Sequence, residues 1–175
     1  MMSKLPTLSL GLSLVAVVSL SGCAARSDTS SHYTSVDIPT RWMPTDTLCI
    51  PIETSAEPQV GDLITGMPYD CAVGVRYEST FPYRELALCV EMRYTDDLGC
   101  EHLVQRGTLE VALTDAAGAW QGGSWGSLIQ REKPERVPMT FPYDGSYRLL
   151  LWPAYGDSVA LQGLTNLTLE WRAKQ

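Results

Sequence analysis

An all-β sandwich is the fold this sequence predicts, and three observations predict it. Apolar and polar residues alternate at period two over most of the chain, turn residues (Gly, Pro, Asp) recur at short intervals, and no stretch longer than about ten residues sustains the 3.6-residue stripe of an amphipathic helix. Short antiparallel strands with one apolar face each bury that face by pairing two sheets. An antiparallel Greek-key or jelly-roll-like sandwich of about eight strands is therefore expected.

The elements follow in order. Residues 47–52 form the first expected strand, and a loop containing Pro and Gly runs from 53 to 70. Cys71, Val73, Val75 and Tyr77 then alternate with Ala72, Gly74, Arg76 and Glu78, the pattern of a half-buried strand. Leu86, Leu88, Val90 and Met92 repeat it, end at the turn residues 95–99 and hand over to 100–106, which predicts a hairpin. A further strand with Leu109, Val111 and Leu113 stops at the turn Asp115-Ala116-Ala117-Gly118. Residues 137–141, 147–152 and 167–172 complete the set.

Before the domain stands an address. The first 23 residues carry one cation, Lys4, then an uncharged run from Leu8 to Leu20, then small residues ending in Cys23. That run is too short for a mature membrane span, which needs about 20 residues, and suits a secretory signal. Leu20-Ser21-Gly22-Cys23 resembles a lipobox, in which the cysteine is acylated (palmitate among the acyl chains) and becomes the first mature residue. The organisation expected is a signal peptide over 1–22, lipidated Cys23 with a small, polar, flexible tether over 23–36, and one domain over 37–175. Ala24, not Asp, follows the cysteine, and only one acid lies in 24–28, so the expected location is the outer membrane, lipid-anchored on its periplasmic face.

Composition excludes several classes. There are 13 Lys+Arg against 20 Asp+Glu, a formal charge of −7, and the arginines are scattered, a poor fit to nucleic acid. Two histidines, His32 and His102, leave little for histidine catalysis or a multi-histidine metal site. Apart from Cys23, four cysteines remain: Cys49, Cys71, Cys89 and Cys100. They allow three disulfide pairings between which the sequence does not choose, or buried free thiols, and no Cys-x-x-Cys spacing points to zinc.

Candidate chemistry is sparse. Gly122-Gly123-Ser124-Trp125-Gly126 matches G-x-S-x-G, but both histidines precede the serine and no helix follows it, so a glycine-rich loop is the better reading. Asp96-Asp97 sits between Thr95 and Gly99, where Asp is expected to bind turn backbone. Neither an enzyme, nor a cofactor, nor a metal is expected. The aromatics are the candidates for binding: Trp120 and Trp125 flank Gln121-Gly122-Gly123-Ser124, and Phe81 and Tyr83 bracket Pro82. Large aromatics beside Gly or Pro make rigid anchors for a protein partner, or platforms for a sugar ring, and one tryptophan could instead plug the end of the sandwich.

The order of these pieces is recognisable. Tyr33 and Asp37-Ile38-Pro39 precede Trp42 and Asp46; Tyr77 leads through Phe81-Pro82-Tyr83-Arg84-Glu85-Leu86; Thr114-Asp115-Ala116-Ala117-Gly118 precedes Trp120 and Gly126; Gly145-Ser146-Tyr147 and Gly163-Leu164 close the chain. Together with the lipobox-like segment this resembles the GldH family of gliding-motility-associated lipoproteins of the Bacteroidota, over essentially the whole chain from Cys23 onward. The resemblance implies an envelope lipoprotein linked to the gliding and type IX secretion machinery, with envelope proteins as partners and no catalytic residues to carry over. The alternative it leaves is a carbohydrate-binding periplasmic or surface lipoprotein that uses exposed tryptophans. Asp46-Thr47-Leu48 and Asp157-Ser158-Val159 also resemble the Asp-Ser/Thr-aliphatic site of O-glycosylation in exported Bacteroidota proteins, which makes Thr47 and Ser158 candidates provided each hydroxyl is exposed.

Overall fold

The computed structural model describes residues 32–57, 62–131, 135–156 and 159–174. Cys23 and Ser158 lie outside them. The described residues form eleven strands, not eight: β1 (His32–Asp37), β2 (Leu48–Ser55), β3 (Leu63–Ile64), β4 (Pro68–Glu78), β5 (Glu85–Thr95), β6 (Glu101–Ala112), β7 (Gly123–Trp125), β8 (Leu128–Gln130), β9 (Glu135–Thr140), β10 (Gly145–Pro153) and β11 (Leu164–Ala173). They make two sheets. One runs β1-β11-β4-β8-β7, with β9 also paired to β4; the other runs β3-β2-β10-β5-β6. Every pairing is antiparallel except β2 with β3.

The sandwich follows from the alternation. In β10 the residues Tyr147, Leu149 and Leu151 point inward and are buried, as are Tyr69, Cys71, Val73, Val75 and Tyr77 of β4 in the opposite sheet. Inward residues of both sheets form one continuous core. Phe141 ties them together, its ring 5.8 Å from Tyr69 and 5.2 Å from Tyr147, both edge-on. Such aromatic contacts add about 0.5–1.5 kcal/mol beyond area burial.

Three departures from the sequence reading have physical reasons. β1, of which residues 32–36 were read as the end of the tether, pairs along its whole length with β11, from His32 opposite Trp171 to Asp37 opposite Asn166. Its alternation is of half-buried and exposed residues, the weak signature of an edge strand. β6 is one strand of 12 residues where two were expected, because the register shift opposite Met92/Arg93 breaks the alternation without ending the ladder. The hairpin β7–β8 falls in the glycine-rich segment read as loop.

The pairings give the sandwich two distinct ends. His32, Trp171, Cys71 and Val137 align in successive registers, and four residues beyond β9 the chain enters β10 at Gly145, opposite Thr54. Tyr147 then pairs with Tyr94, so the β5–β6 turn stands at the same end as the start of β1. At the far end lie Asp37, Arg76 and Gln130, the turn after β6, and the bridge between Trp42 and Leu161.

All four described cysteines are free thiols, so the bridges considered from sequence have no pair here. Cys71 points into the core from β4. Cys49 and Cys89 belong to the other sheet, on β2 and β5 with β10 between them, and Cys100 is at the β5–β6 turn. Two strand spacings of about 4.8 Å already exceed the Cα separation of about 4.4–6.8 Å that a disulfide needs. Burial pushes the Cys71 thiol up to about 12.

Candidate functional site

The segment after β6 builds a rigid platform from local chemistry. Asp115 Oδ1 accepts the N–H groups of Ala117 and Ala119, both at 2.9 Å, and Gly118 turns the chain at a φ of 84°, where a side chain would be strained. Thr114 then bridges to Trp120, and the Gln121 side chain donates to the Thr114 carbonyl at 2.9 Å. Gly122 lets β7 approach β8: a Cβ there would stand 2.2 Å from the Gln130 carbonyl oxygen. The two-residue turn Gly126-Ser127 joins β7 and β8, and Ser79 N–H donates to the Ser127 carbonyl at 2.7 Å, tying the turn to the body.

The structure separates the two tryptophans. Trp120 is half-buried, its ring 5.3 Å from Tyr77, and plugs this end of the sandwich. The Tyr77 phenol is raised by burial, with the charge of Arg131 acting against that, and its hydroxyl donates across the core to the Leu113 carbonyl at 3.2 Å. Trp125 is 82 % exposed at the tip of the hairpin. Beside it a cleft of about 410 Å³ is lined by Arg76, Leu128, Gln130 and Trp125 itself. Arg76 Nε donates to Gln130 Oε1 at 3.0 Å, which sets both planar side chains along the outer face of the sheet. Across the next strands the same row continues with Asn166, whose amide donates to Ser35 and Asp37.

The other aromatics proposed from sequence are placed elsewhere. Phe81 is a core residue, 3 % exposed, with its ring against Tyr77 and Tyr83, so it presents no surface to a partner. The turn around Pro82 sends Phe81 inward and leaves Tyr83 half-buried, stacked on Tyr155 at 4.7 Å. Gln121 is engaged with Thr114 and braces the hairpin. The residues sequence reasoning missed are Arg76, Leu128 and Gln130. Arg76 occupies the polar phase of β4, a signal that was present; Leu128 and Gln130 follow from β8, which the glycines before it (Gly122, Gly123 and Gly126) concealed.

The remaining candidates resolve as follows. Ser124 pairs with Ile129 within the hairpin, while His32 and His102 stand at the opposite end of the molecule. Asp96 is occupied by its turn: Oδ1 accepts from Leu98 N–H at 3.0 Å and Cys100 N–H at 2.8 Å, and Oδ2 meets His102 Nε2 at 2.7 Å. That hydrogen bond from His102, with the backbone donors, holds the Asp96 carboxyl below its usual range. Thr47 is exposed, the condition its modification requires.

A protein-family model described as GldH lipoprotein matches residues 35–169. No curated protein matches the chain. Among solved structures, the Yersinia pseudotuberculosis-derived mitogen (YPM) is similar at 10 % identity with a TM-score of 0.37, over 84 % of this chain and 88 % of that one, a likeness too slight to argue from.

Proposed function

This chain belongs to the GldH lipoprotein family, and from that membership we propose a non-catalytic role in which it joins a gliding- or type IX secretion-related envelope assembly through its Trp125 hairpin. The observation that carries the reading is the position of Trp125. It is 82 % exposed, braced by a hairpin hydrogen-bonded to the body, and located at the end of the sandwich opposite the start of β1. In this reading Cys23 holds the protein in the outer membrane by acyl chains, each buried CH₂ contributing about 0.8 kcal/mol, and the chain enters the domain through β1. The hairpin then faces away from the attachment point, where a partner can reach it, and the exposed indole beside Arg76 joins two residue types enriched at binding hot spots. Pull-down from detergent-solubilised envelopes tests this. Native protein should capture envelope proteins that the Trp125→Ala variant loses; an unchanged catch removes the hairpin from consideration.

A second reading has its own observation. The planar side chains of Arg76 and Gln130 lie side by side within a cleft whose wall is an indole, and a sugar ring is bound by such a wall with planar donors and acceptors at its hydroxyls. Titration of Trp fluorescence with a panel of envelope glycans separates the two. Saturable change lost in Trp125→Ala supports the sugar site, and a flat response supports protein contact alone.

A further inference from the structure

Exposed apolar side chains are unevenly distributed over the two ends of the sandwich. Of the six large ones among the described residues, four (Tyr33, Leu98, Leu103 and Tyr143) belong to the end where β1 begins. Leu98, 88 % exposed, forms the tip of the β5–β6 turn. The turn is rigid: Asp96 N–H donates to the Cys100 carbonyl at 3.0 Å, and the Asp96 carboxylate holds both Leu98 and Cys100. Tyr143 is equally fixed. Its N–H donates to Tyr147 Oη at 2.7 Å, the Tyr147 hydroxyl donates back to the Tyr143 carbonyl at 2.8 Å, and its ring lies 4.9 Å from Tyr94.

We propose that this end is a membrane-resting surface, docked on the zwitterionic headgroup layer of the bilayer that holds the lipid anchor. The inference rests on the reading that Cys23 is that anchor. Nine residue steps separate Cys23 from His32, a reach of at most about 30 Å even when fully extended. The end that carries His32 is therefore kept near the bilayer, and tethering makes even a weak contact effectively intramolecular. Apolar tips with phenols beside them match the boundary between headgroups and acyl chains, where amphipathic rings settle.

Charge sets the depth and the lipid. Asp96 and Asp97 immediately precede Leu98, and the Tyr94 hydroxyl donates to the Asp144 carbonyl at 3.2 Å; the Tyr94 phenol is raised by partial burial and then by the carboxylates of Asp97, Asp96 and Asp144. Most cations of this end are engaged, Lys174 with Asp70 at 3.0 Å, Arg172 with Glu170 at 2.9 Å, and Arg93 and Arg148 with Glu101, while Arg136 stands exposed farther along, in the row of Tyr33. Carboxylates at the rim keep the contact shallow and disfavour anionic lipid, so the surface suits zwitterionic headgroups. Docked this way, the sandwich stands with Trp125 outermost.

The structure supplies its own reporters. Cys100 is exposed two residues from Leu98, whereas exposed Cys49 lies five residues up β2 from Thr54, about 17 Å toward the far end. Full-length lipidated protein would be reconstituted into phosphatidylethanolamine/phosphatidylcholine vesicles carrying a shallow nitroxide lipid, with a fluorophore on Cys100 in a Cys49→Ser background or on Cys49 in a Cys100→Ser background. The Cys100 probe should be quenched at least twofold more than the Cys49 probe, with the excess reduced by Leu98→Ser and by replacing part of the lipid with phosphatidylglycerol. Flotation with the vesicles but equal quenching of the two probes overturns the inference and leaves the anchor intact. A Cys100 probe shielded from water yet unquenched, with crosslinked dimers, assigns the patch to a second copy and also overturns it. If Cys23→Ser protein floats as well as native protein, the anchor reading fails, and the inference falls with it.

Discussion

The Tyr77 hydroxyl crosses the sandwich to donate to the Leu113 carbonyl while its ring packs 5.3 Å from Trp120. One side chain thus connects the six-stranded sheet to the segment from which the Trp125 hairpin springs. Removing the hydroxyl leaves packing intact and the Leu113 carbonyl with one of its two donors, the Gln121 N–H at 2.8 Å. Tyr77→Phe is expected to cost about 1 kcal/mol in urea denaturation, with an unchanged circular dichroism spectrum.

The two tryptophans should behave oppositely on truncation. Trp125→Ala is expected to change stability by no more than about 0.5 kcal/mol, because the ring is exposed. Trp120→Ala should lose about 2 kcal/mol, less than the roughly 3–5 kcal/mol of a fully buried aromatic, because part of its surface is already wet. Equal losses in paired denaturation curves would mean that the hairpin packs differently from the arrangement described.

Gly122 is the position at which the hairpin tolerates no side chain. A Cβ would meet the Gln130 carbonyl oxygen at 2.2 Å in a backbone conformation of φ 155°. Gly122→Ala is therefore expected to cost about 1–3 kcal/mol and to disturb the Arg76–Gln130 cleft. Gly126→Ala, with open space around its Cβ, pays only for its φ of 66° and should cost less. Thermal melts of the two variants order them.

Much of this architecture was legible in the sequence and part of it was not, for reasons that lie in particular residues. Strands β4 and β10 bury the inward face throughout and β5 and β11 most of it, so the apolar alternation of their sequences is clear. β1 pairs on one side only and reads as polar chain, and the β7–β8 hairpin is short, with glycines at its start and in its turn. Phe81 looked like a surface anchor because Pro82 follows it, yet the turn sends the ring into the core against Tyr77. Of the candidate site, Trp125 could be named from sequence; Arg76 and Gln130 could not be joined to it, because they lie 49 and 5 residues away and only the β4–β8 register brings them together.

Cysteine chemistry gives a pH prediction. The Cys71 thiol is raised by burial from 9.0 to about 12, so the folded state keeps it protonated while the unfolded chain ionises. Its contribution is complete below pH 9 and is lost as pH rises from 9 toward 12, by up to about 1.4 kcal/mol per unit. Relative to Cys71→Ala, the native protein should lose stability across that window and match its pH dependence below it. At neutral pH a maleimide should label Cys49 and Cys100 in the folded protein and reach Cys71 only on unfolding.

The central claim is that a lipid-anchored sandwich presents the Trp125 hairpin to an envelope protein. Its most direct test is a photo-crosslinking amino acid at position 125, activated in native cells, with the same group at the Thr168 position on the sheet face as the control. The account predicts a discrete adduct with gliding or type IX envelope components from position 125 and none from 168. Adducts with polysaccharide, or equal background from both positions, would contradict it.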